Sequence, residues 1–160
     1  MRGVVTRLYR SFRYAYEGLA YAWGTQPNLR LHLAAGYLVL VLASILEFRA
    51  LETVILLLTV GAVVVAELFN TAVEAVVNVA ARGYHPQAKI AKDVAAAAVL
   101  ITTLLSVLVG LYLFGPALAR LPGALQSAWL RRPGAVLLHG AVFLLLVASA
   151  VSIKKPGERE

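Results

Sequence analysis

The chain has 160 residues, of which 61% are hydrophobic and only 14% charged, with a net charge of +7 and a mean hydropathy of +0.79. A soluble domain of this size cannot hide so much apolar surface, and the apolar residues fall in long blocks, so composition points to membrane spans. The lack of cysteine excludes disulfides, thiol chemistry and Cys-based metal sites, and three scattered histidines do not suggest zinc. The positive charge comes with no basic-aromatic groove pattern, so it suits anionic headgroups and argues against nucleic acid.

In chain order, residues 4–23 read as an amphipathic helix. Leu8, Phe12, Ala15 and Leu19 fall on one face, and Arg7, Arg10, Arg13 and Glu17 on the other. Such a helix lies in the headgroup plane. No apolar run follows the first arginines and no small-residue cleavage site is present, so this is not read as a signal peptide. Gly24 to Pro27 interrupt the helix, with Gln26 expected to be non-helical because it precedes proline. A first span is expected over 29–46 and a tight connection over 47–50. A second helix over 51–81 is about 45 Å long, more than the roughly 30 Å hydrocarbon core, so its last turns leave the lipid. A polar loop is expected over 82–92, punctuated by Gly83 and Pro86, and a third span over 93–114. The Val-Ala-Ala-Ala-Ala opening of that span admits a close neighbouring helix. Pro116, Pro122, Gly123, Pro133 and Gly134 mark a long connection, with Trp129 as an interface anchor. A fourth span is expected over 135–153, ending in Lys154 and Lys155.

Orientation follows from the basic residues. With the N-terminus inside, eleven of the fifteen lysines and arginines are cytoplasmic; Arg49, Arg120, Arg131 and Arg132 are outside. This places both termini in the cytoplasm.

Chemistry concentrates in ELFNTAVEAVVNVAARGYHPQAKIAKD, residues 67–93. Glu67, Asn70, Glu74 and Asn78 follow at spacings that stack them on one helical stripe. A carboxylate near lipid costs about 3 kcal/mol or more. Two of them with two amides are either a polar seam gluing helices or a functional site. Lys92 and Asp93 at the same membrane edge favour function. Phosphoryl transfer needs neutralised phosphates, a metal on hard oxygens and an acceptor for the hydroxyl proton, and these residue types supply those parts. There is no Gly-rich phosphate loop.

E-x-x-N-T-A-V-E-A-V-V followed by Y-H-P-x-A-K-I-A-K-D-V-A-A resembles the signature of the prokaryotic diacylglycerol kinase family, which includes undecaprenol kinases. SFRYAYEGLAYAW (11–23) and NLRLHL (28–33) fit in order, and the resemblance covers roughly residues 5–115. It implies an all-α, homotrimeric enzyme of the bacterial inner membrane with active sites between subunits. That enzyme moves the ATP γ-phosphate, with Mg²⁺, to the hydroxyl of undecaprenol or diacylglycerol. Residues 1–115 would form the kinase-like domain, and 116–160 an added external loop, span and cytoplasmic tail. By this resemblance Glu67 matches the general base, Asn70 lines the lipid-hydroxyl site, and Asp93 is a neighbour in the nucleotide site. Lys92 contacts phosphate, Arg7 and Tyr14 lie on the nucleotide side, and Glu74 holds magnesium. Gln26 stands where the family has a second metal-binding glutamate, and Asn78 where it has aspartate. N-T-A and K-I-A-K-D look more like the undecaprenol branch. His85 belongs to the family loop and reads as structural, His32 sits at the interface, and His139 is expected to be neutral and bonded to another helix.

Two other readings stay open. Loss of charge at Gln26 and Asn78 fits a catalytically weakened homologue serving as a scaffold or lipid-binding protein. A proton-coupled transporter subunit would place its carboxylates nearer mid-membrane.

Overall fold

In a computed structural model, residues 2–81 and 83–152 are described, with the side chains of Arg2 and Gly3 left aside. All regular elements among them are helical. They are α1 (Arg2–Thr25), α2 (Pro27–Ile45), α3 (Ala50–Ala80), α4 (Pro86–Phe114), a 3₁₀ segment (Gly115–Arg120), α5 (Leu121–Arg131) and α6 (Pro133–Val151). Four helical stretches are long and apolar enough to cross a membrane. Their apolar side chains face outward: Leu58, Leu111 and Leu145 are each about two-thirds exposed. That is a surface made for lipid rather than water.

Helix α1 keeps the expected amphipathic pattern, with Leu8, Phe12 and Leu19 exposed and Arg13 paired with Glu17 at 2.8 Å. Gln26 is extended, as expected before proline. Helices α2, α3 and α4 pack in sequence as neighbours, and α6 docks on α2. At the close approach of α2 and α3, Gly36 is buried. A Cβ there would meet Val60 Cγ1 at 2.5 Å, so any larger residue forces Val60 or the helices to shift.

The turn after α2 is a Schellman motif: the amides of Glu47 and Phe48 donate to Ser44 and Ala43. Glu47 occupies the left-handed position there, with φ 55. Helix α3 starts with the Glu52 carboxylate accepting from the Arg49 amide at 2.8 Å, which satisfies an orphan donor. Phe48 and Phe114 stack at 4.8 Å, tying the far ends of α2 and α4 together.

The chain differs from the sequence reading in two connections, for one physical reason. The expected polar loop 82–92 is helical from Pro86, and the expected external loop 116–134 is a 3₁₀ segment followed by α5. Pro86 opens α4, and Pro116 and Pro122 are the second residues of the 3₁₀ segment and of α5. In a first turn the missing amide costs nothing and the fixed φ is already helical, so proline starts helices there instead of breaking them. Arg82 and the tail with Lys154 and Lys155 lie outside the described residues.

The fourth span runs antiparallel to α2. Arg30 donates from Nη1 to the Ser149 carbonyl at 2.5 Å and from Nε to the Trp23 carbonyl at 2.6 Å, with its guanidinium 5.3 Å from the Trp23 ring. One arginine thereby joins α1, α2 and α6. The Tyr37 hydroxyl and His139 Nδ1 are 2.6 Å apart, so His139 is bonded to another helix, as its position inside a span demands.

Candidate active site

Along α3 the polar stripe grades from dry to wet. Glu67 is 1% exposed and Asn70 8%; Glu74 is half-buried and Asn78 exposed. Glu67 and Asn78 are eleven residue steps apart, about 16 Å of helix. Helical spacing alone puts them on one face, and packing against α2 and α4 buries the inner end.

Glu74 is the centre of the stripe. Gln26, at the break between α1 and α2, donates from Nε2 to Glu74 Oε2 at 3.3 Å. Asn70 donates from Nδ2 to Glu74 Oε1 at 3.4 Å. Two amides thus converge on one carboxylate. Both Glu67 carboxylate oxygens and Asn70 Oδ1 are buried without a hydrogen-bond partner among the described residues. Buried polar atoms are normally satisfied. Three adjacent acceptors without a donor suit a ligand that brings one, such as a hydroxyl. Thr71 is buried beside them and bonds back to the Glu67 carbonyl at 2.8 Å, so its hydroxyl does not serve the carboxylate.

On α4, Lys92 donates to Asn78 Oδ1 at 2.7 Å. Lys89 and Asp93 form an exposed ion pair one turn apart. Asn78, Lys89, Lys92, Tyr84 and His85 line a hollow of about 310 Å³ where α3 ends and α4 begins. Lys89 is the residue that the loop reading passes over. Starting the helix at Pro86 puts Lys89, Lys92 and Asp93 within its first three turns.

The structure therefore gathers Gln26, Asn70 and Glu74 into one cluster, sets Glu67 deeper on the same stripe, and sets Lys92 at its outer end, while Asp93 is exposed and paired with Lys89. Within one chain it does not bring Arg7 or Tyr14 to the cluster. Both are exposed on α1, and Ser11 bonds only to the backbone of Arg7.

Magnesium fits this donor set in a limited way. No group of three His, Cys, Asp or Glu side chains is clustered among the described residues. Glu74 offers hard anionic oxygens, and a half-turn of the Gln26 amide presents its carbonyl in place of its NH₂. Magnesium is commonly held by one or two protein oxygens, with phosphates and water completing the octahedron.

The model of the family described as "Prokaryotic diacylglycerol kinase" matches residues 13–114. The chain belongs to the prokaryotic diacylglycerol kinase family. As a family member it is a lipid kinase. It is 44% identical over 119 residues to a diacylglycerol kinase of Synechocystis, covering 74% of this chain and 68% of that one. It is 36% identical to an undecaprenol kinase of Bacillus subtilis, covering 73% and 95%. It is 35% identical to a diacylglycerol kinase of Escherichia coli, covering 64% and 84%. The family match ends at the last residue of α4, so the 3₁₀ segment, α5 and α6 lie beyond it.

Proposed function

We propose that this lipid kinase phosphorylates the hydroxyl of undecaprenol or diacylglycerol with ATP and Mg²⁺ at the cytoplasmic face of the inner membrane. The observation that carries the reading is Glu67: a buried carboxylate with both oxygens unpartnered, two helical turns from Glu74 and its converging amides.

Glu67 takes the proton of the lipid hydroxyl as its oxygen attacks the γ-phosphorus. Asn70 lines the position of that hydroxyl. As the bond from the γ-phosphorus to the ADP oxygen breaks, charge grows on the phosphates, and Lys92 faces it. Asp93 pairs with Lys89 and holds the cationic edge of the nucleotide side in register. Glu74 and Gln26 would hold magnesium, which would neutralise phosphate charge when bound. Asn78 keeps the Lys92 ammonium close to the stripe through a hydrogen bond to its neutral amide oxygen.

The enzyme is a homotrimer in this reading, with Arg7 and Tyr14 reaching the nucleotide of a site completed by a neighbouring subunit. Two features support it. One chain leaves those residues away from the cluster, and it leaves the small side chains Ala96, Ala97 and Ala98 of α4 exposed for a close helix neighbour. Residues 1–115 form the kinase unit and 116–160 an addition. Both termini are cytoplasmic, as the lysine and arginine distribution favours.

The site assignment is tested on purified trimer by Glu67→Gln and Glu74→Ala. Each should lower turnover by roughly 10² or more, since each removes a group acting on developing charge. Glu74→Ala should also raise the magnesium needed for half-maximal rate. Wild-type turnover in either variant would remove that residue from its role.

A further inference from the structure

At the other end of the bundle, about 28 Å along α2 from Gln26, the added C-terminal segment closes a second cavity. It measures about 770 Å³ and lies between α2, α5 and α6, within the range of small-molecule sites. Its walls include Leu38, Val41, Val136 and Phe143, and its mouth carries Arg120, Arg131 and Arg132 with Glu47. The ion pairs among the described residues are Arg13–Glu17 and Lys89–Asp93, so none of the three guanidinium groups is paired. Three arginines against one glutamate leave the mouth with a formal charge of about +2, three minus one. Glu47 is itself held in the left-handed conformation, which favours glycine and is costly for other side chains. Deeper in the cavity, Tyr37 and His139 meet at 2.6 Å. With Tyr37 donating, His139 carries its proton on Nε2, a free donor among apolar walls.

We propose that this cavity binds an anionic glycerophospholipid of the leaflet opposite the kinase site. Arginines at the mouth take the phosphate, since guanidinium forks match its oxygens. Glu47 accepts from a headgroup hydroxyl. The His139 donor serves an ester carbonyl, and the apolar walls hold acyl chain. This order of charge, ester and hydrocarbon is the order in such a lipid, and basic pockets between membrane helices bind anionic headgroups by the same chemistry. The α2 wall of the cavity lies within the segment matched by the family, while the walls from α5 and α6 lie beyond it, and none of the lining residues takes part in the kinase reaction.

The test uses the full-length protein in detergent, titrated with phosphatidylglycerol, with phosphatidylcholine of matched chains, or with inorganic phosphate. Lipid retained per protomer is read by native mass spectrometry, and thermal shift is read alongside. Wild type should retain phosphatidylglycerol in preference to phosphatidylcholine, while phosphate alone gives no shift. In R120Q/R131Q/R132Q, affinity should fall by roughly fivefold per arginine removed, with lipid phosphorylation unchanged. If that variant does not assemble, Gly140→Leu serves. A Cβ at Gly140 meets nothing within 4 Å, so the leucine side chain starts out into open space at the cavity wall and should weaken retention with all three arginines present. Equal retention of both lipids by wild type would overturn the proposal. So would undiminished retention in whichever variant assembles, a shift by phosphate alone, or cross-linking of Ser127→Cys between copies that seals the cavity.

Discussion

Gln26 and Glu74, 48 residues apart in sequence, meet through a 3.3 Å hydrogen bond. The contact puts the break between α1 and α2 directly over the outer half of the α3 stripe. A neutral amide here donates to the carboxylate and adds no charge to the pair.

Gln26→Glu therefore sets two carboxylates side by side. In the metal-free protein they repel, and the melting temperature should fall slightly. Magnesium should more than reverse that, because a ligand that binds only the folded form stabilises it. The expected outcome is a lower magnesium requirement for lipid phosphorylation and a larger magnesium-induced thermal shift than in wild type. Unchanged values for both would remove Gln26 from the metal site.

Gly36→Ala tests the packing that holds α2 against α3. The new methyl would lie 2.5 Å from Val60 Cγ1, and a β-branched valine has little rotamer freedom with which to yield. Destabilisation of about 1–3 kcal/mol is expected, read as a lower melting temperature in detergent. Val60→Ala in the same chain should restore most of it. If Gly36→Ala alone is as stable as wild type, the two helices do not approach this closely.

Topology is open to labelling because the chain has no cysteine of its own. A cysteine at Ser127 should react with a membrane-impermeant reagent added outside intact cells, and one at Gly157 should not. The reverse pattern would invert the orientation, and reaction of both would remove the fourth crossing.

Much of this architecture is legible in the residues. Spans are legible because lipid demands long apolar runs with their backbone bonds made internally. The α3 stripe is legible because 3.6-residue periodicity fixes which side chains share a face. Helix starts are less so: Pro86 and Pro133 read equally as breakers and as first helical residues, and only the chain on either side decides. Least legible are the contacts between distant helices. No periodicity announces that Arg30 reaches the Ser149 carbonyl or that Tyr37 meets His139. For the same reason Arg120, Arg131 and Arg132 read only as basic residues flanking spans until the fold sets them around one cavity. The burial of Glu67 was only half legible: the stripe was visible, but the loss of every partner for its carboxylate depends on packing.

The central claim is phosphoryl transfer to a lipid hydroxyl by the α3 site, and the most direct measurement is radiolabel transfer. Purified full-length protein in mixed micelles receives γ-labelled ATP with undecaprenol or with diacylglycerol, across a magnesium series, beside Glu67→Gln at equal concentration. Label is expected in the extractable lipid phosphate for at least one substrate, abolished by chelating magnesium and reduced roughly a hundredfold or more in Glu67→Gln. No label in either lipid at any magnesium concentration, or equal label from the Glu67→Gln protein, would contradict it.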